Sequence, residues 1–214
     1  MTQNLSGISV GCVIMASGDS IRFGTQKLVI PFLGKPLASY IIEETSHSEL
    51  SSSVVVTRQM EIVQMANTAG LPVLLHAHPL VSDTIRLGVQ YLIRHIAGRK
   101  KPDGIMFCVA DQPLLTRTTI NYMIQAFVEH TGSIIRLKGI DLNTGKERFA
   151  NPVIFPSSLY KELESLPPDE TGRYVIQAHQ ESAVTVQIQD SLQLIDIDTP
   201  EQLDTLKELC QTSL

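Results

Sequence analysis

The chain has no tryptophan, and aromatic residues fill only 5% of its 214 positions. Stacking platforms for exposed bases and aromatic troughs for sugars are therefore poorly supplied. Positive charge is also short: 17 Lys and Arg stand against 22 Asp and Glu, a formal net charge of −5. General nucleic-acid and anionic-membrane binders gain affinity from basic patches that release counterions, and this balance offers none. The three cysteines, Cys12, Cys108 and Cys210, have no paired spacing and form no zinc or redox motif. Cys12 and Cys108 lie in the apolar runs GCVIMA and IMFCVA, where a thiol serves as a small hydrophobe in a reducing compartment. No apolar run approaches the roughly 20 residues of a membrane helix. The opening MTQNLSGIS lacks a basic stretch leading into an apolar one with a cleavage site. These absences lead to the expectation of a cytoplasmic protein that binds neither nucleic acid nor membrane.

What is abundant is apolar sequence in short runs. Hydrophobic residues make up 43% and charged residues 18% of the chain, and a chain this long buries about 70% of its unfolded surface without staples. No repeat, low-complexity tract or linker interrupts it, and SHSELSSS and LPPDETG read as loops. A single domain is expected over 1–214, with a core spanning about 8–210. Strand candidates are Ile8–Ala16, Ser53–Thr57, Pro72–His76, Gly104–Ala110 and Ser133–Leu137. The first four are nearly continuous apolar runs, as in strands covered on both faces. Ser82–Ala97 is the clearest helix: Ile85, Val89, Leu92, Ile93 and Ile96 form one stripe, Ser82 is its expected N-cap and Gly98 follows its end. Thr116–His130 repeats the pattern, with Ile120, Met123, Ile124, Phe127 and Val128 inward. Alternation in units this short predicts right-handed crossovers and a mostly parallel sheet between two helix layers, a three-layer α/β fold. Later, Pro152–Phe155, Val184–Ile188 and Leu192–Ile197 are strand-like and are expected to add to the sheet edge. Thr199-Pro200-Glu201-Gln202 opens a final helix with a capping box and Pro at its first position.

In open parallel sheets the ligand sits beyond the carboxyl ends of the strands. The connection after the first strand runs from Ala16 to a helix expected near Pro36, far longer than the usual ~2–6 residues of such a loop. Its two glycines, Gly18 and Gly24, allow backbone N–H groups to approach a ligand; Ser17 and Ser20 donate; Arg22 and Lys27 supply charge. That composition suits a polyphosphate, and equally suits a solvated surface loop. It is not a P-loop, because five residues separate the glycines and Lys27 comes three after the second. Asp111-Gln112-Pro113 ends the Gly104–Ala110 run, where a carboxylate can hold Mg²⁺ beside that loop or cap the next turn. On the predicted strand Leu192–Ile197, Asp196 and Asp198 share a face by the two-residue period. Either can complete a metal site, with Asp198 nearer the strand end. His76 and His78 can share a strand face, but no third ligand lies nearby in sequence, which favours a structural role over zinc.

With these parts in order, the chain resembles the MobA-like NTP transferases, and among them the molybdenum cofactor cytidylyltransferases. That family carries L-A-A-G-x-S-x-R-M/F-G-x-x-K and then P-x-x-G-x-P-L; here the text is MASGDSIRFGTQK and PFLGKPL. The family's D-Q-P, N-P-V-x-F, G-D-x-G-x-R and D-x-D-T-P-E-D appear as Asp111–Pro113, Asn151–Phe155, Asp169–Arg173 and Asp196–Gln202. Departures are Ser17 for the second Ala, Ala150 where Gly is frequent, and Glu170-Thr171 in the Asp169–Arg173 loop.

The resemblance implies a Rossmann-like nucleotide-diphospho-sugar transferase fold. It implies transfer of CMP, or GMP, from an NTP to the phosphate of molybdopterin or molybdenum cofactor, with release of pyrophosphate. CTP is expected ahead of GTP, and a molybdoenzyme or its maturation chaperone is the further partner implied. Ala16, Ser17 and Gly18 would meet the base, and Ser20, Arg22, Gly24 and Lys27 the triphosphate. Ser82 and Thr84 would lie near the base and ribose, and Asp111 with Asp198 would hold Mg²⁺. Asn151, Pro152, Gly172 and Arg173 would border the acceptor, leaving catalysis to Arg22, Lys27 and Asp111. An attacking phosphate is already an anion near neutral pH, so the chemistry asks for charge neutralisation and in-line placement rather than a general base. Two further readings are a transferase for another phosphorylated small molecule, such as a sugar or polyol phosphate, and a non-catalytic nucleotide- or cofactor-binding accessory protein.

Overall fold

The computed structural model describes residues 7–18, 23–94, 100–142 and 144–212. The first strand, β1 (Val10–Ala16), is apolar throughout and nearly wholly buried, so it lies mid-sheet. The connection after it holds a 3-10 turn at Lys27–Val29 and a small antiparallel ribbon, β2 (Pro31–Phe32) with β3 (Lys35–Pro36). Helix α1 (Leu37–Ser46) begins directly after Pro36. Then come β4 (Ser52–Thr57), α2 (Met60–Thr68), β5 (Val73–Leu75), α3 (Val81–Arg94), β6 (Gly104–Val109) and α4 (Arg117–Glu129). The last third comprises β7 (Ile134–Ile140), β8 (Glu147–Pro156), α5 (Tyr160–Glu164), α6 (Gly172–Ala178), β9 (Ala183–Gln187) and α7 (Pro200–Thr212).

The main sheet has the order β5-β4-β1-β6-β8-β7-β9. Pairings β4–β5, β1–β4, β1–β6 and β7–β9 are parallel; β8 pairs antiparallel with both β6 and β7. The sheet is thus mostly parallel, with a single reversed strand among those described. The alternating pleat of β1 divides the core. Val10, Cys12, Ile14 and Ala16 pack with α1, α2, α4 and α7, while Val13 faces the side covered by α3, α5 and α6. The three-layer α/β expectation is met.

Several local expectations change. The strand containing Pro152–Phe155 does not extend the edge; it is inserted between β6 and β7, because β7 and β8 form a hairpin that docks β8 against β6. The segment expected as a strand over Leu192–Ile197 is a 3-10 turn at Ser191–Leu194 followed by extended chain. Leu194 and Ile197 are buried there by packing against the helical layer rather than by strand alternation. Ser82 lies inside α3, one residue past its start, and so is not the cap. The predicted end of that helix, with Ile96 and Gly98, lies outside the described residues. Thr116 does cap α4, accepting from the Thr119 N–H at 3.3 Å. The final capping box also forms: Gln202 Oε1 accepts from Thr199 N–H at 3.1 Å, and Thr199 Oγ1 accepts from Gln202 N–H at 3.3 Å.

One glycine sets the approach of α3 to the sheet. A Cβ at Gly88 would come within 2.5 Å of Val13 Cγ1, with both residues buried. Overpacking of this kind costs typically about 1–3 kcal/mol, against the ~1 kcal/mol that Ala gains over Gly in a helix. Gly88→Ala is therefore expected to destabilise by about 1–2 kcal/mol in urea unfolding. In a Val13→Ala background, where the clashing methyls are gone, the same change should cost nothing. A cost retained there would place the strain elsewhere.

Candidate nucleotide-transfer site

The chain runs from β1 outward through β4 to β5 on one side, then returns to place β6 on the other. This makes the carboxyl ends of β1 and β6 the switch point of the sheet, the usual ligand crevice. There Met15 pairs with Val109, and the chain beyond each strand carries the polar residues.

At the crevice the buried Lys27 ammonium joins three segments. Nζ donates to Asp111 Oδ2 at 2.7 Å, to Asp198 Oδ1 at 2.9 Å and to the Ile197 carbonyl at 2.8 Å. Its side chain is 9% exposed, against 21% and 32% for the two aspartates. Burial by itself would lower the lysine pKa, but attraction to Asp111 and then Asp198 prevails and raises it, so the ammonium stays charged. The Ile197 N–H donates to the Asp111 carbonyl at 3.0 Å, fastening the same two segments a second time. Gln112 is fully buried and donates through Nε2 to the Asn151 carbonyl at 3.1 Å, beside the cis Asn151–Pro152 bond. Asp111 Oδ1 is buried without a hydrogen-bond partner.

Two adjoining cavities open here, sharing Met15, Val81 and Val109 in their walls. The first, about 350 Å³, is lined by Ser17, Gly18, Lys27, Arg58, Thr84 and Asp111 among others. The second, about 560 Å³, includes Asn151, Gly172, Arg173 and Asp196. So most of the residues singled out from the sequence converge. Ala16 ends β1, and Gly24 takes the left-handed conformation, φ +72°. Ser82 is buried within α3, one turn of which also presents Thr84 to the first cavity. Pro152 is buried in β8 next to Asn151. Ser20 and Arg22 lie outside the described residues.

The Ser17 hydroxyl is engaged by neighbouring protein groups. Its Oγ lies 3.1 Å from the Val56 carbonyl and 2.9 Å from His76 Nε2. A carbonyl only accepts, so both contacts hold together when Ser17 donates to Val56 and His76 donates through Nε2. Burial, then the neighbouring His78 and Arg58, lowers the His76 pKa and keeps the ring neutral. Arg58 donates to the Ser17 carbonyl through Nε at 2.9 Å and Nη2 at 2.6 Å. His76 thus holds the Ser17 hydroxyl, and His78 stacks on it with ring centres 6.0 Å apart. Among the described residues no group of three or more His, Cys, Asp or Glu is placed to hold a metal. Sequence reading missed Arg58, Arg136, Arg148 and Phe149, because single basic and aromatic residues on strands and loops carry no spacing signal.

An open sheet with a charged cluster at its switch point belongs to the ligand-binding α/β class. Within that class, residues 12–184 match the MobA-like NTP transferase domain, and the chain belongs to this nucleotidyltransferase family. It is 27% identical over 210 residues to the purine catabolism protein PucB of Bacillus subtilis, covering 91% of this chain and 94% of that one. A probable molybdenum cofactor guanylyltransferase of Thermococcus sibiricus is 27% identical over 121 residues, 55% of each chain. The fold is also that of Rv0371C of Mycobacterium tuberculosis, solved in complex with manganese, with a TM-score of 0.73 at 15% identity over 94% of this chain and 98% of that one. No helix among the described residues is long and apolar enough to cross a membrane.

Asp196 supplies a test of the site's electrostatics. Burial, then the charge of Asp111, pushes its pKa from 3.8 up to about 7, despite Arg148 at 3.6 Å. Between about pH 4 and pH 7 the folded protein therefore keeps a proton that the unfolded chain has released, and stability from this group falls as pH rises through that window. The stability of Asp196→Asn relative to the parent should rise steadily between about pH 4 and pH 7 and level off above, measured by urea unfolding. Equal pH slopes for the two proteins would refute the assignment.

Proposed function

We propose that this protein is a Mg²⁺-dependent nucleotidyltransferase that moves CMP, or GMP, from an NTP to the phosphate of molybdopterin or molybdenum cofactor. The observation that carries the reading is the Lys27–Asp111–Asp198 cluster, whose Lys27 and Asp111 line the first cavity, with a second cavity adjoining it across Met15, Val81 and Val109. Two substrates that exchange a nucleotidyl group need two adjoining compartments with charged groups at one of them, and this arrangement supplies both. Support for the acceptor comes from the likeness to a molybdenum cofactor guanylyltransferase, and support for a divalent cation from the manganese complex of the fold neighbour.

The donor set suits Mg²⁺, which takes one or two carboxylates and completes its shell with water and substrate phosphates. Asp111, with one buried oxygen unpartnered, and Asp198 would hold it, and the ion would supply charge neutralisation on the triphosphate. The NTP occupies the first cavity, its base near Ala16, Ser17 and Gly18 and the Ser82–Thr84 turn. Ser20, Arg22 and Gly24 serve its phosphates. Lys27 keeps the two carboxylates in register and adds positive charge beside the triphosphate. The acceptor lies in the second cavity, bordered by Asn151, Pro152, Gly172 and Arg173. A phosphate oxygen of the acceptor attacks the α-phosphorus, the bond to the β-phosphate breaks, and pyrophosphate leaves. No proton need be removed first, which is why an acid-base pair is not required. Anion meets anion in this step, so a low-dielectric border with fixed positive charge is where the rate is gained.

Pyrophosphate release from CTP and from GTP, each with and without molybdopterin, tests the whole reading and identifies the base. Release should depend on acceptor and on Mg²⁺, and EDTA should abolish it. Asp111→Asn should lower kcat about 10²–10³-fold while the protein still folds, because Asp198 and the Ile197 carbonyl continue to hold Lys27. Near-parental turnover in that variant would remove Asp111 from the chemistry.

A further inference from the structure

The second cavity contains two arginines that meet no carboxylate among the described residues. Arg136 lies on β7 in register with Val153, which pairs in turn with Phe107 of β6, so one row of the sheet carries all three. Its guanidinium carbon sits 3.5 Å from the centre of the Phe149 ring. Its Nε is buried and has no hydrogen-bond partner. Arg173, in the first turn of α6, lines the same cavity. Among the described residues neither guanidinium forms an ion pair, whereas nearby Arg148 is matched by Asp141 at 3.5 Å and Asp196 at 3.6 Å.

An unneutralised pair is an unusual arrangement in a chain of net charge −5. Burial and then the charge of Arg173 lower the pKa of Arg136, so the two are close enough to repel. An incoming oxyanion would remove that repulsion and satisfy the open Nε, with the planar donor geometry that suits phosphate. Phe149 holds the Arg136 plane by stacking and leaves the guanidinium edge for the ligand. Behind the pair the wall is apolar: Phe107, Val153, Phe155 and Ile176 are all 9% exposed or less. Charge at one side and an apolar floor at the other recognise a molecule with both characters.

We propose that Arg136, levelled by Phe149, and Arg173 form an oxyanion subsite that takes the phosphate of the acceptor, whose ring system lies against the apolar wall. Calling this ligand the acceptor rests on the nucleotidyl-transfer reading; the anion subsite itself does not.

The probe is 1-naphthyl phosphate, with neutral 1-naphthol as its partner, titrated calorimetrically into the intact protein and into Arg136→Met and Arg173→Met. The parent should bind the phosphate at least tenfold more tightly than the naphthol. Each substitution should weaken phosphate binding about tenfold or more, with naphthol and NTP binding unchanged. Equal affinity of the parent and both variants for the phosphate, or no preference of the parent for phosphate over naphthol, overturns the proposal. Should Arg136→Met fail to fold, Arg173→Met decides, because that side chain is exposed. Arginine-dependent binding without pyrophosphate release from any NTP would sink the transfer reading and leave the subsite standing. Transfer with an acceptor KM indifferent to both substitutions would do the reverse.

Discussion

The site is organised by one buried ammonium. Lys27 comes from the long connection after β1, Asp111 from the turn after β6, and Asp198 from the segment before α7, and all three meet within 2.9 Å of Nζ. Each member depends on the others. A buried cation without carboxylates is too costly to keep charged, and carboxylates this close without a cation repel each other. Burial first, and then the charge of Asp111, raises the pKa of nearby Asp196, so a further unpaired carboxylate is disfavoured beside the cluster. One ammonium between two carboxylates leaves negative charge in excess, so the local field of this cluster favours a bound cation.

The sheet makes this meeting possible. Its switch point brings the ends of β1 and β6 side by side, and Gly88 lets α3 rest on Val13 closely enough to wall the first cavity with Thr84. Inserting β8 beside β6 rather than at the edge has the larger functional consequence. It carries Asn151 to Gln112, behind Asp111, and lays Phe149 and the neighbouring Arg136 along the second cavity. The reversed strand thus builds the compartment that a second substrate would need.

Much of the architecture was legible from residue patterns. Unbroken β-branched runs bounded by turn residues marked β1, β4 and β6, and the apolar stripes of α3 and α4 with the capping box of α7 survived in three dimensions. Leu192–Ile197 misled because alternating apolar residues bury equally well in a 3-10 turn followed by extended chain pressed on a helix layer. Periodicity reports which side chains are buried, and does not report which backbone buries them. Within the site, residues in compact motifs were found, whereas Arg58, Arg136 and Phe149 were not, since their significance is a neighbour far away in the chain.

By itself the sequence determined the class of fold, the order of its motifs and the chemical character of each: a glycine- and hydroxyl-rich loop with its lysine, a carboxylate after a central strand, a second carboxylate before the last helix. Short-range preferences suffice for that, because turn geometry, capping and apolar period act over a few residues. Only the tertiary structure decided that Lys27 is held by both aspartates, that the Ser17 hydroxyl meets His76 and Val56, and that Arg136 and Arg173 share a cavity without an ion pair to either among the described residues. Those are matters of strand order and long-range contact, where the free energy of a charge is set by groups far along the chain, 84 residues away for Asp111 and 171 for Asp198 in the case of Lys27.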